Sequence, residues 1–266
     1  MDPAEIIRIK ELLPTSLGSD EVREQIAADI LRRSIFSARM EDLRHLAAIR
    51  DVCADVVAGA INQATARERL LASLSRMGHS PLDDGGITNP ASIRRLNLII
   101  DTQRQMAASV ANIAAETPAT LEEWPAVELT RFVGRGRPRQ DWAERWQAAG
   151  DAVGWQGAAR GVGGFPDWRM VALKSSPIWQ ALGDGAGGYR DTLGNPYPPF
   201  AYGSGLAWAD VSRDEAIRLG LIDPEVGRAV TGEPPEAPSL SPSDADIADA
   251  AARLGFDADV FSDLAG

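Results

Sequence analysis

The sequence predicts a mainly α protein: an N-terminal helical bundle or hairpin, then a small irregular α+β module, then a tethered C-terminal helix. Three observations carry this. Apolar residues recur at three- and four-residue steps from Asp20 to about Ala115. All seven tryptophans fall between Trp124 and Trp208, together with fifteen of the 25 glycines and seven of the 17 prolines. Residues 231–243 hold four prolines, three serines, two glutamates and a single leucine, the composition of an extended tether. The predicted division is therefore a helical domain over 1–115, an aromatic-rich module over 116–230, a linker over 231–243 and a short acidic amphipathic tail over 244–266.

In the first domain Val22, Ile26, Ile30 and Leu31 start an apolar stripe, and Leu43, Leu46, Ile49, Val52, Val56 and Val57 continue it after Phe36. Ala64 to Met77 places Leu70, Leu71 and Leu74 opposite Arg67, Glu68 and Arg69, and Gly78 and Pro81 stop it. Helix is expected to resume near Pro90, with Asn89 as cap, and to run through Ile93, Leu96, Ile99, Ile100 and Val110 to about Ala115. Such stripes must bury against one another, hence the bundle or hairpin.

The aromatic-rich module reads as short pieces. Helices are expected over Leu121–Phe132 and Asp141–Ala149, with Trp142 and Trp146 on one buried face. Met170–Leu173 is strand-like, and Gly183–Gly188 and Asn195–Phe200 read as loops. Ser212 should cap a helix from Arg213 to Leu219 that stops at Gly220. Proline beside a large aromatic in Leu173–Trp179 and in Tyr197–Phe200 suits chain reversals fixed on a core, so Trp179 and Phe200 should lie near each other. Lys174, one of only two lysines, should have a specific acceptor.

Charge is unevenly spread. Residues 231–266 carry eight acids and one base, and so supply most of the net −11. The near-neutral body does not argue for global attraction to nucleic acid. The opening Met1-Asp2-Pro3-Ala4-Glu5 is polar, so no secretory leader is expected. No apolar run approaches the roughly 20 residues of a spanning helix, so a soluble chain is expected. Cys53 is the sole cysteine, which excludes an internal disulfide and a cysteine-based zinc site, and its apolar helical context reads as buried filler.

No catalytic constellation emerges from the residues. His45 sits mid-helix and His79 in a turn, with no partner at metal-ligand spacing. Gly203-Ser204-Gly205 falls short of a nucleophile elbow and reads as a turn. Gly161-Val162-Gly163-Gly164 and the Gly183–Gly188 string precede no phosphate-binding helix. No metal, cofactor or catalytic residue is assigned, and an enzyme is not expected. The local exception in charge is Arg131, Arg135, Arg137 and Arg139, four arginines in nine residues interleaved with Gly134, Gly136 and Pro138. Such a loop can grip an acidic protein surface, phosphate or nucleic acid, or be satisfied internally by Glu122, Glu123 or Glu128.

Four strings in the middle block resemble the phage Mu F-like and related head morphogenesis (minor head or minor capsid) proteins of tailed phages. They are Trp124-Pro125-Ala126-Val127-Glu128-Leu129 with Arg135 and Arg139, Asp141-Trp142-Ala143-Glu144-Arg145-Trp146, Arg169-Met170-Val171-Ala172-Leu173-Lys174 continuing to Ser176-Pro177-Ile178-Trp179, and Leu193-Gly194-Asn195-Pro196-Tyr197-Pro198-Pro199-Phe200 followed by Gly203-Ser204-Gly205-Leu206. Asp210–Ala216 with Leu219-Gly220-Leu221, and upstream Phe36–Arg39, Ala66–Leu74 and Ser92–Thr102, fit the same group, so the resemblance spans roughly residues 30–225. Two departures mark a divergent branch: no histidine follows Trp146, and Gly183–Arg190 is longer than the short link expected there. No enzymatic role of fused relatives is therefore carried over.

The resemblance implies a virion structural protein, present in several copies at or near the portal vertex and assembled in the host cytoplasm. It implies the portal protein and other head or neck proteins as partners, with packaged double-stranded DNA as a further contact and no membrane. The alternatives are a packaged enzyme or effector acting on nucleotide or peptide, a head–tail connector (neck) component, and a scaffold or DNA-organising factor. Besides the arginine loop, the expected docking element is the tail. There Ile247, Leu254, Phe256, Val260, Phe261 and Leu264 form an apolar side and six aspartates keep the rest in water. A helix of about ten residues is marginal alone and needs a surface to pack on. A disordered acidic tail is the competing reading.

Overall fold

Asp2 begins the first helix: its carboxylate accepts the Ala4 amide at 3.2 Å, and Pro3 occupies a first-turn position where no amide is needed. The structure, a computed structural model, describes residues 1–79, 86–132, 140–163 and 168–225. These fall into two units, one from Met1 to Ala107 and one beginning at Ala108. The tethered C-terminal helix predicted over 244–266, and its linker, lie outside the described residues.

The first unit is mostly helical, with α1 (Pro3–Arg8), α2 (Ser19–Gln25), α3 (Ala28–Arg33), α4 (Leu43–Val57), α5 (Gln63–Arg76) and the start of α6 (Ile93–Ala114). Asp42 caps α4 through the His45 amide at 2.9 Å, and Asn62 caps α5 through the Thr65 amide at 2.9 Å. The predicted stripes are the buried faces: Leu46, Ile49 and Cys53 on α4, Ala66, Leu70 and Leu74 on α5, Leu96, Ile100 and Ala107 on α6. α4 packs on both α1 and α5. Val22 and Ile26 build a separate small cluster with Leu13, as the sequence periodicity implies.

Four details differ from the sequence reading, three of them as follows. The helical pattern after Asp20 breaks twice, because α2 ends at an extended Ile26 and α3 at Ser34. There β2 (Ser34–Ile35) pairs in parallel with β1 (Glu11–Leu12), Leu12 opposite Ile35, and the buried backbone is satisfied by the Leu13 amide donating to the Ile35 carbonyl at 2.9 Å. Second, α6 starts at Ile93: Ser92 Oγ accepts the Arg95 amide at 3.2 Å, whereas Asn89 closes a turn onto the Ala91 amide. Third, Leu121–Phe132 is not one helix. α7 (Pro118–Glu123) is capped by Thr117, and β3 (Ala126–Arg131) follows Pro125. The Val-Glu-Leu-Thr alternation has period two, and proline cannot continue a helix.

The second unit is a small α+β body. β3 is the centre of a three-stranded antiparallel sheet, flanked by β4 (Val171–Leu173) and β5 (Leu206–Val211). Val127 faces Ala172 on one side and Asp210 on the other, and Leu129 faces Trp208. Since directly opposed residues share a face, Ala172, Val127, Leu129, Trp208 and Asp210 line one side, and Val171, Ala126, Glu128 and Val211 the other. The first face carries the tryptophan core with α8 (Trp142–Ala152) and α9 (Ile178–Asp184). On the second, Ala126, Val171 and Val211 cluster with Ala216 of α10 (Arg213–Arg218), which Ser212 caps as expected.

Gly183, read from sequence as loop, lies inside α9, which ends at Gly185 with φ +81°. A Cβ on Gly183 would lie 1.7 Å from the Asn195 carbonyl oxygen, so glycine lets this helix touch the Asn195 loop.

Candidate functional site

Four aromatic rings meet on the first face of the sheet. Trp146 from α8 and Trp179 from α9 are 5.4 Å apart between ring centroids, and Trp179 stacks on Phe200 at 6.0 Å with 12° between planes. Trp208 from β5 meets Trp179 edge-on at 5.0 Å. Both inner indoles are satisfied: Trp146 Nε1 donates to the Ala159 carbonyl at 2.9 Å and Trp179 Nε1 to the Leu173 carbonyl at 2.8 Å. Trp142 is buried on the same helix as Trp146, as the i, i+4 spacing requires. Thus the expected proximity of the two proline-aromatic strings holds, and it has a structural purpose.

Two arginines brace this unit. Arg169 precedes β4 by two residues and forks onto Glu128 of β3 (Nε–Oε1 3.0 Å, Nη2–Oε2 2.8 Å), while its other nitrogen reaches Glu215 of α10. These hydrogen bonds hold the Arg169 pKa above its ordinary value, and the bond to Arg169 holds the Glu215 carboxyl below its own. Arg145 bonds Asp141 and Asp191, each at 2.8 Å, and lies 4.1 Å from the Tyr189 ring centroid. Burial pulls its pKa down, and the bonds to Asp191 and Asp141 more than offset this. Neither arginine was singled out from sequence. The signal for Arg169 was present: it shares the alternation parity of Val171, which pairs with Glu128.

Of the predicted partner-binding residues, the structure describes Arg131. It is exposed at the end of β3, and its Nη1 donates to the Ser204 carbonyl at 3.3 Å. The adjoining Phe132 is 81% exposed. Arg135, Arg137 and Arg139, and the tail residues Ile247, Leu254, Phe256, Val260, Phe261 and Leu264, lie outside the described residues. Glu128, one of the carboxylates weighed as an internal partner for that loop, is held by Arg169.

A groove of about 430 Å³ opens at the other end of β3. Glu116, Thr120, Trp124, Lys174, Trp208 and Asp210 line it. Lys174 extends the alternation of β4 by one step, with its amide on the Pro125 carbonyl at 2.9 Å. Its ammonium lies 2.9 Å from Asp210 and also bonds Glu116, the specific placement predicted for this lysine. Trp124 is 38% exposed. A second depression, formed by Glu122, Glu123, Ser212, Arg213 and Asp214, shares Trp124 as a wall.

Three further groups with shifted pKa values lie in the first unit. His45 is buried with Nδ1 3.1 Å from Ser73 Oγ, and burial pushes its pKa down to about 4. Lys10 is buried and donates to Gln103 Oε1 at 2.9 Å, and burial lowers it to about 8. Cys53 is buried, as expected of filler, and burial raises its thiol to about 12. A thiol so shifted is a weak nucleophile at neutral pH. Gly203-Ser204-Gly205 is the turn entering β5, with both glycines at positive φ. Among the described residues no three histidine, cysteine or acidic side chains are grouped to hold a metal ion, and no helix is long and apolar enough to cross a membrane.

Compared with protein-family models, with curated proteins and with solved structures, the chain matches none.

Proposed function

We propose that the chain is a structural protein of a tailed-phage virion, a minor head protein that docks at or near the portal vertex during head assembly and carries out no chemistry of its own. One observation carries the reading. The four strings that resemble head morphogenesis proteins converge on a single core: Val127 and Leu129, Trp142 and Trp146, Ala172 and Trp179, and Phe200 with Leu206 belong to one buried cluster. The core that the four strings share runs from Val127 to Leu206. The near-neutral body and the four arginines between Arg131 and Arg139 of the sequence fit docking to the portal protein or other head or neck proteins, with packaged DNA as a further contact.

The test is a reconstruction of the intact particle, without imposed symmetry, from a phage that encodes this chain. The expected outcome is density for the Trp-core unit beside the portal, in several copies. Density confined to the neck would assign a connector instead. Particles lacking the chain altogether would overturn the proposal.

A further inference from the structure

The groove at the Trp124 end of the sheet has an unusual combination of features. It is walled by two indoles, Trp124 and Trp208, and its rim is acidic. Glu116 and Asp210 border it, and Glu122, Glu123 and Asp214 border the depression on the other side of Trp124. Among the described residues that line the two hollows the cations are Lys174 and Arg213, and both have local partners. Lys174 is held by Glu116 and Asp210, and Arg213 donates to the Glu122 carbonyl at 3.4 Å. The surface around the exposed ring therefore carries net negative charge.

We infer that this groove is a docking site for a basic segment of a partner protein, in which an arginine or lysine side chain lies on the Trp124 ring between the two acidic rims. A guanidinium over an indole face gains a cation–π attraction, and the Glu123 and Asp214 carboxylates on the side away from Lys174 complete its hydrogen bonds. Mixed acid and indole would repel a nucleic-acid backbone and an anionic lipid surface alike, so charge selects a cationic partner. The site lies at the opposite end of β3 from Arg131. This inference stands independently of which assembly the partner belongs to.

The probe is a fluorescein-labelled peptide of alternating glycine and arginine, with a glycine–glutamate peptide as control, added to the full chain. Expected are saturable binding of the cationic peptide alone and shifts of two indole N–H resonances, assigned to Trp124 and Trp208 by substitution. Trp124→Ala and the double variant Glu123→Gln/Asp214→Asn should each weaken binding by about fivefold or more. The acidic tail is an alternative seat for any cationic peptide. Binding that leaves the Trp124 resonance in place, or that Trp124→Ala changes by less than about twofold, would therefore overturn the assignment. A concentration-dependent oligomer dissolved by Trp124→Ala would overturn it too, since the occupant would then be a second copy. The resonance shift is read on the unaltered protein, so the outcome does not depend on a variant folding.

Discussion

The Lys174 ammonium lies 2.9 Å from the Asp210 carboxylate, although the two residues belong to opposite edges of the three-stranded sheet with β3 between them. The lysine stem thus crosses the face of Val127 and ties the edges together. Glu116, which follows α6, completes the pair. The Lys174 and Glu116 side chains are 7% and 16% exposed, but Asp210 is 60% exposed. The three charges are therefore unequal in energy.

Lys174→Ala should destabilise the protein by about 2–4 kcal/mol, because it leaves the sheltered Glu116 carboxylate without a countercharge and with only the Thr120 hydroxyl at 2.9 Å. Asp210→Asn removes a solvent-screened partner and should cost under about 1 kcal/mol. Urea unfolding of both variants checks this. A loss for Asp210→Asn as large as that for Lys174→Ala would show that the Asp210 contact, and not Glu116, carries the contribution of the lysine.

Trp146 and Trp142 should respond differently to loss of the indole nitrogen. Trp146→Phe strands the Ala159 carbonyl, which now accepts at 2.9 Å, and should cost about 2–4 kcal/mol. Trp142 Nε1 is buried with no acceptor among the described residues, so Trp142→Phe should cost about 1 kcal/mol less than its lost volume implies. Truncation to alanine at either site should cost about 3–5 kcal/mol. Denaturant midpoints in which Trp142→Phe is the more damaging would contradict the assignment of partners.

His45 titrates at 6.5 ordinarily and at about 4 in the folded chain. Between these values the unfolded chain binds a proton that the buried ring does not. Its contribution is complete above pH 6.5 and is lost as pH falls toward 4, by up to about 3 kcal/mol. His45→Gln should flatten that part of the stability profile. An unchanged slope between pH 6.5 and 4 would assign the acid sensitivity elsewhere.

Lys10 is also depressed, from 10.5 to about 8, so its term makes the protein more stable as pH rises from 8. Cys53 is raised from 9.0 to about 12, so above 9 the folded chain keeps a proton that the unfolded chain has lost, and stability falls. The two terms oppose each other above pH 9, which leaves a net rise only between about 8 and 9. Lys10→Met should abolish that rise, as measured by denaturant titration at half-unit intervals.

Gly183→Ala should be among the most disruptive single changes, because the new methyl meets the Asn195 carbonyl at 1.7 Å and the backbone must move. A loss of about 3 kcal/mol or more is expected. Gly59→Ala is the control: its φ is +72° but its surroundings are open, so the loss should be about 1 kcal/mol.

Local rules written along the chain were enough for the apolar faces of α4, α5 and α6, the cap at Ser212, and the buried pairing of Trp142 with Trp146. Each depends on residues within four positions of one another, where period and side-chain chemistry act directly. They failed where long-range pairing won. The stripe through Ile26 and Ile30 reads as continuous helix until Ile35 finds Leu12, and Leu121–Phe132 reads as helix until β3 finds two antiparallel partners. The fork of Arg169 on Glu128, the loop backbone that forces glycine at 183, and the Trp124 groove join residues far apart in the chain, Asn112 and Asp210 among them. Such a meeting is decided by which sheet face each side chain takes. That is settled by strand register, and register comes from the packing of the whole unit rather than from any one segment.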